Sequence, residues 1–304
     1  MSTCACAIKG NFDDAQTGVK KLFREIPQPT PGVSLSSANS INIGRLVPQV
    51  VYYFSAYCEY VNSGNIAFGD TVDFAVPTGN FGNILACWYA KKMGLPVGRL
   101  LCASNENNVL TDFFASGTYN RNRVFHTTIS PSMDILVSSN LERLLYSVSE
   151  DDKLVARYMA KLSQSGEYTV SDDIRKVLND NFSGGFCSDA DTKAMINKVY
   201  TENSYLMDTH TAVAYKKLCD YREDNKAVPT VVVSTASPFK FCNSVLSALG
   251  ESSDAPGTEL IEKLSDFTGL PAPKPLKDLD KREKRFNLVV EKQDMKQTVK
   301  DFLM

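Results

Sequence analysis

The chain has 304 residues with 33 basic and 35 acidic side chains, and its net charge of −2 gives no basic surface for nucleic acid or an anionic membrane. Its 43% hydrophobic content is enough for one large or two ordinary domains. No apolar run approaches a membrane-spanning length, and the first residues show no charged-then-apolar signal region, so a soluble cytoplasmic protein is expected.

Eight cysteines are scattered along the chain. Cys4-Ala5-Cys6 is the one close pair, and it lacks the second pair and nearby His that a zinc site uses. Cys58, Cys87 and Cys219 stand among apolar helical residues and read as buried thiols in a reducing compartment.

In chain order, Cys4–Ile8 reads as a strand, and a helix follows in which Ala15, Val19, Leu22, Phe23 and Ile26 share one face, capped by Asn11 or Asp13. One strand and one helix need a sheet to join. Pro27, Pro29 and Pro31 then form a loop. The polar run Ser36–Arg45 leads into a long helix marked by Leu46, Val50, Phe54, Tyr57, Cys58 and Val61, with Pro48 in its first turn. On residue type alone, Ser40 and Asn42 are helix caps and Arg45 faces solvent.

The organising stretch is Val72–Asn83. Val72-Asp73-Phe74-Ala75-Val76 reads as a buried strand, then Pro77, Gly79, Asn80, Gly82 and Asn83 make a turn, and Ile84–Lys92 resumes with helical spacing. A strand, a glycine turn and a helix start form an anion site, because free N–H groups converge there. The spacing is neither the Lys-Ser/Thr nucleotide loop nor Gly-x-Gly-x-x-Gly. An ordinary strand-to-helix turn is the alternative; the flanking Asn residues favour a phosphate cradle.

Val97–Ala103 is a further strand, and this alternation implies a parallel sheet whose ligands gather at the carboxyl ends of its strands. Ser104–Asn108 lies at the same edge, as pocket wall or loop. The region from Ser139 to about Asn181 reads as helical, started at Ser139 or Asn140, and Ser188 starts another helix. His210, one of two His, fits a hydrogen-bonded structural role better than a catalytic one, and His126 reads as structural. Val231-Val232-Val233 is a strand that places Thr235 at the crevice, and Pro238 opens a helix. Beyond Glu251 come a proline-containing loop, a solvated charge run at Lys277–Arg285 and a last helix near Glu291–Leu303.

Six segments, in this order, resemble one family: Gly10-Asn11-Phe12-Asp13-Asp14-Ala15, Asn39-Ser40-Ile41-Asn42-x-x-Arg45, Pro77-x-Gly79-Asn80-Phe81-Gly82-Asn83, Ser130-Pro131-Ser132-Met133-Asp134-Ile135, Asp208-x-His210-Thr211-Ala212-Val213-Ala214 and Thr235-Ala236-Ser237-Pro238-x-Lys240-Phe241. Each is weak alone; together they closely resemble threonine synthase, a pyridoxal 5'-phosphate (PLP) enzyme. The resemblance implies an α/β fold of the tryptophan synthase β-like type (PLP fold type II). That fold is a three-layer parallel or mixed sheet with helices on both faces, here with an incomplete smaller domain. It implies 1–38 as a remnant of that domain, 39–250 as the large PLP-binding domain and 251–304 as a tail.

The implied reaction turns O-phospho-L-homoserine and water into L-threonine and phosphate. By position, Gly79, Asn80, Phe81, Gly82 and Asn83 match the loop that holds the cofactor phosphate, and Thr235 matches the hydroxyl facing the pyridine nitrogen. Ser40, Asn42 and Arg45 match the region gripping the substrate phosphate, which reverses the solvent-facing reading of Arg45. The family's Schiff-base lysine, in a Phe-Lys-Asp segment, has no counterpart here, nor has its Ser-Gly-Asp-Thr carboxylate loop. Lys9, Lys20 and Lys240 do not stand in that motif, so no catalytic lysine is assigned. The expectation is therefore the carboxyl-terminal portion of such an enzyme, with an unpaired edge at Cys4–Ile8. The alternatives are an inactive phosphate-binding or interaction remnant, or a sibling such as threonine dehydratase or cysteine synthase.

Overall fold

The computed structural model describes residues 4–10, 12–26, 32–225, 228–252 and 255–303. The loop prolines Pro27, Pro29 and Pro31, the cap Asn11 and the Asp13 side chain lie outside what is described.

The chain opens with β1 (Cys6–Ile8) and α1 (Phe12–Glu25). The long helix expected after Arg45 is divided: α2 (Ile43–Leu46), one 3-10 turn at Val47–Gln49, then α3 (Val50–Asn62). Pro48 is the cause, since its ring fixes φ and removes a donor from the ladder. Next come β2 (Val72–Pro77), α4 (Gly82–Lys92) and β3 (Val97–Ser104), all where the sequence places them.

Two elements without a sequence signal follow, α5 (Val109–Ser116) and β4 (Thr118–Asn120). The stretch expected to be wholly helical contains α6 (Leu141–Ser149), α7 (Asp152–Gln164), the strand β5 (Glu167–Thr169) and α8 (Asp172–Asn181). β5 exists because it pairs antiparallel with β4, Tyr119 opposite Tyr168, their rings stacked with centroids 5.5 Å apart. Then β6 (Phe182–Phe186), α9 (Asp189–Asn203), α10 (Thr209–Asp224) and β7 (Thr230–Val232) lead to α11 (Cys242–Ala248) and α12 (Glu259–Thr268). The chain ends with β8 (Leu288–Val290) and α13 (Met295–Leu303).

The central sheet is parallel, in the order β6-β3-β2-β7. Every residue of β2 is buried, as a parallel strand covered on both faces requires. Phe74, Val76, Leu100 and Cys102 point into the larger core with Ile84, Leu85 and Phe113 from α4 and α5. The alternate residues Ala75 and Leu101 pack on Leu218, and Ala103 on Val213 and Ala214, all from α10. Helices therefore cover both faces. The fully buried Ile84 and Leu85 contribute about 1.5–3 kcal/mol each, which fixes α4 behind the turn that precedes it.

β6 carries no clear strand signal in sequence, since Gly184 and Gly185 interrupt it. A Cβ at Gly184 would come 2.9 Å from the Thr111 backbone, and one at Gly185 would come 2.4 Å from the Lys217 side chain. Glycine is thus the residue that lets α5 and α10 close on this strand.

β1 keeps one unpaired edge, as expected, since among the described residues it lies in a two-stranded sheet with β8 alone. It pairs in parallel with β8, Cys6 to Leu288 through Ile8 to Val290. Ion pairs Lys9–Glu291 at 2.6 Å, Lys292–Asp14 at 2.7 Å and Lys296–Glu25 at 2.8 Å run between the same two ends of the chain. Pairing 282 residues apart, as Cys6 with Leu288, carries no local signal. Cys58 also departs from expectation: it is exposed, whereas Cys87 is buried and Cys219 half-buried. The charge run around Lys277–Arg285 is mostly exposed, as expected. No helix among the described residues is long and apolar enough to cross a membrane.

Candidate functional site

The turn between β2 and α4 sits at the carboxyl edge of the sheet. Thr78 ends the strand by donating its N–H to Ala103 O at 2.8 Å. Phe81 takes a left-handed φ of 63° and is 1% exposed, its ring packed against Phe114 and Phe182 at 6.1 and 5.9 Å. A buried aromatic in that conformation is held by its pocket, and it swings the following N–H groups outward. Among the described residues, the N–H groups of Gly79, Asn80, Phe81, Gly82 and Asn83 find no acceptor. Five unsatisfied donors lead into an eleven-residue helix, an arrangement with the chemistry to take an anion.

The glycines there answer to packing. A Cβ at Gly79 would stand 2.7 Å from Ser132 O, and one at Gly82 would stand 2.9 Å from the Ser40 Cβ. A larger residue at either position would strike protein. The two asparagines are tethers. Asn83 Oδ1 accepts from the Tyr53 hydroxyl at 2.5 Å and its amide donates to Gln49 Oε1 at 3.0 Å, tying α4 to α3. Asn80 Oδ1 accepts from Ser139 at 3.4 Å.

The other carbonyls of the turn are used from behind. Ser138 donates its hydroxyl to Gly79 O at 2.6 Å, and Asn140 donates its amide to Asn80 O at 2.8 Å. Asn140 is fully buried and does not cap α6 with its side chain, so its reading as a cap gives way to this support role. Asn140 also donates to Ser40 Oγ at 2.9 Å. Ser40 therefore lies directly on the turn.

Asn42 caps α2, its Oδ1 accepting from Gly44 N at 2.9 Å, and its amide donates to Ser37 O at 3.1 Å. Arg45 is exposed and donates through Nε to Ala38 O at 3.1 Å; its terminal nitrogens have no partner among the described residues. Thr235 lies past the end of β7, exposed, its hydroxyl likewise without a described partner. The structure thus brings Ser40 to Gly82, places Thr235 beyond the adjacent strand of the same edge, and leaves the Arg45 guanidinium head uncommitted.

His210 is 4% exposed and accepts from Ser132 N through Nε2 at 3.3 Å, while Nδ1 lies 3.3 Å from both Thr209 Oγ1 and Asp208 Oδ1. This is the hydrogen-bonded structural role read from sequence. Burial acts to raise the Asp208 pKa, but hydrogen bonds from His210 and Thr211 outweigh it and hold the carboxyl below its ordinary value. The Ser130–Ile135 segment is pinned a second time: Asp134 Oδ1 accepts from Thr128 Oγ1 and Asn105 Nδ2, each at 2.7 Å. Asn105 is thus a buried anchor.

Sequence reasoning missed Ser132, Ser138, Asn140 and Arg143. Their work is to hold backbone, which leaves no motif of its own. A cavity of about 670 Å³ lined by Asp73, Lys91, Arg99 and Tyr221 opens at the opposite, amino-terminal edge of the sheet. It takes no part in this arrangement. No cluster of metal-ligating side chains occurs among the described residues.

Residues 211–303 match a family model described as the C-terminal part of threonine synthase. The threonine synthase of Pseudomonas aeruginosa is 38% identical over 269 residues, 87% of this chain and 56% of that protein. The structure of PLP-bound threonine synthase from Brucella melitensis superposes with a TM-score of 0.79 at 37% identity, covering 99% of this chain and 59% of that one. The chain belongs to the threonine synthase family. Yeast threonine synthase has the same TM-score at 30% identity, and a human threonine synthase-like 1 protein is 42% identical over 252 residues. The chain spans 34% of that human protein and 56% of the Pseudomonas enzyme. As a threonine synthase family chain, it has the family's α/β fold with a parallel sheet.

Proposed function

We propose that this chain carries the cofactor-phosphate and substrate-phosphate sites of a threonine synthase, acting in the conversion of O-phospho-L-homoserine and water to L-threonine and phosphate. The observation that carries the reading is the set of five free N–H groups at residues 79–83, with Ser40 packed on Gly82 beside them. Such donors suit a phosphate dianion and fit the phosphate of PLP. When bound, PLP supplies an electron sink for the negative charge that develops as protons leave the substrate carbons.

The chain's residues do the rest. The 79–83 backbone would hold the cofactor's phosphate end at the carboxyl edge of the sheet. Thr235 offers a neutral hydroxyl to the ring nitrogen. A hydroxyl leaves that nitrogen mostly unprotonated and so tempers the sink. Arg45 offers a planar, permanently charged fork to the substrate phosphate, both orienting it and stabilising it as it departs. Ser40 and Asn42 shape the backbone from which that fork projects.

No lysine of the 304 residues is assigned as the catalytic amine. Lys9 is ion-paired to Glu291, and Lys240 lies 5.4 Å over the Phe241 ring. The chain alone is therefore expected to bind PLP weakly and to form no threonine.

The test is calorimetric titration of PLP, then of O-phospho-L-homoserine, into the wild-type chain and Arg45→Ala. The expected result is PLP binding opposed by inorganic phosphate, with phosphohomoserine binding weakened in the variant by about 2–4 kcal/mol. Insensitivity of PLP to phosphate would remove the cradle, and unchanged phosphohomoserine affinity would remove Arg45. Borohydride reduction followed by peptide mapping checks the lysines: one stoichiometric pyridoxyl-lysine with threonine formation would reverse their dismissal.

A further inference from the structure

Arg143, in the first turn of α6, is half-buried, and both terminal nitrogens of its guanidinium donate to protein acceptors. NH1 donates to Ser40 O at 3.0 Å and to Asn140 Oδ1, and NH2 donates to Ile41 O at 2.8 Å. The two carbonyls belong to the segment that carries Arg45. Asn140, oriented by the same guanidinium, passes its amide protons to Ser40 Oγ at 2.9 Å and to Asn80 O at 2.8 Å.

One cation thus connects two stretches about 40 residues apart in sequence, the 39–45 segment and the 79–83 turn. We propose that Arg143 is a positioning residue: through Ser40 O, Ile41 O and Asn140 it sets the spacing between the cofactor cradle and the arginine that takes the substrate phosphate. This rests on the reading of Arg45 given above.

The physical case has three parts. The 36–45 segment has little core of its own, since Ser36, Ala38, Gly44 and Arg45 are exposed and its first fully buried neighbour is Leu46. Its place must therefore come from polar bonds. Consecutive carbonyls pointing one way need a donor that spans them, and a planar guanidinium fork does so where a single ammonium cannot. Finally, three of the five guanidinium N–H groups of Arg143 already serve protein oxygens, committing it to the 40–41 backbone and Asn140. Its charge still contributes positive potential near the anion sites. Tyr89 feels it: burial raises that phenol's pKa while Arg143 opposes the rise.

The experiment uses the full chain as wild type, Arg143→Met, Arg143→Lys, Arg45→Ala and the Arg45→Ala/Arg143→Met double variant. Two readouts are taken: O-phospho-L-homoserine affinity in the presence of PLP, and amide hydrogen exchange across residues 36–45. Arg143→Met is expected to weaken phosphohomoserine binding about tenfold, the order of effect for losing charge-assisted bonds that fix a segment. Exchange at Ile41–Arg45 should rise with it. In the Arg45→Ala background the same change should have no further effect on affinity, because Arg143 acts through Arg45. Arg143→Lys should fall between, keeping charge but losing the fork.

An Arg45→Ala variant that binds normally would overturn the functional reading. If Arg45→Ala weakens binding but Arg143→Met does not, or if the two losses simply add, the positioning role is wrong and the functional reading stands. Should Arg143→Met fail to fold, Arg143→Lys decides alone: wild-type affinity and exchange in that variant would overturn the proposal.

Discussion

The two halves of the candidate site are built by different means. The 78–83 turn grows out of the core: β2 is wholly buried before it, α4 is anchored by Ile84 and Leu85 after it, and Phe81 is plugged between Phe114 and Phe182. The 36–45 segment has no such foundation. It is held by Asn42 as a cap, by Arg45 on Ala38 O, and by Asn140 and Arg143 reaching over from α6. A cradle that must present five donors at fixed angles gains from rigidity. On the proposed reading, a segment that receives a substrate and releases phosphate gains from bonds that solvent can replace.

The sharpest way to break this comparison is Phe81→Ala. Removing the plug should cost about 3–5 kcal/mol in denaturant unfolding and abolish PLP binding, while the exchange of residues 36–45 changes little. A loss below about 1 kcal/mol would mean the turn holds its shape without the core.

A second test concerns the support behind the turn. Asp208 has a folded pKa held below its ordinary 3.8, so its contribution to stability is complete above that value and is lost as pH falls through the depressed one. Asp208→Asn should therefore flatten the acid limb of the stability curve below about pH 4 and weaken PLP through the His210–Ser132 contact. An unchanged acid limb would show that another carboxylate sets it.

The smallest expected effect falls on the other half. Asn42→Ala removes the cap of a four-residue helix and should cost about 1 kcal/mol, because its neighbours are already wet. Phosphohomoserine affinity should fall while PLP affinity holds. Equal losses of both ligands would show that the two halves move as one.

Much of this protein is legible in its residues. β2, α4, β3 and β7 carry apolar patterns that only a buried parallel sheet satisfies, and the Gly79–Asn83 turn announces a helix start that lacks acceptors. Local chemistry also sufficed for Asn42, whose capping geometry is the ordinary use of its type. It failed for Pro48, where helical periodicity on both sides hid a 3-10 break, and for β6, where two glycines disguised a strand.

What only the tertiary structure decided lies in pairings between distant residues. β1 and β8 are three-residue strands whose hydrogen bonds exist only when the two ends meet, and β5 is a strand only because β4 lies beside it. Asn140 and Arg143 look like an ordinary helix start, yet their bonds reach Asn80, Ser40 and Ile41. The sequence by itself determines where buried strands and a donor-rich turn form, because those follow from patterning and backbone donors within a few residues. Which distant side chain satisfies a given carbonyl is set by the folded path of the whole chain, and no local pattern encodes it.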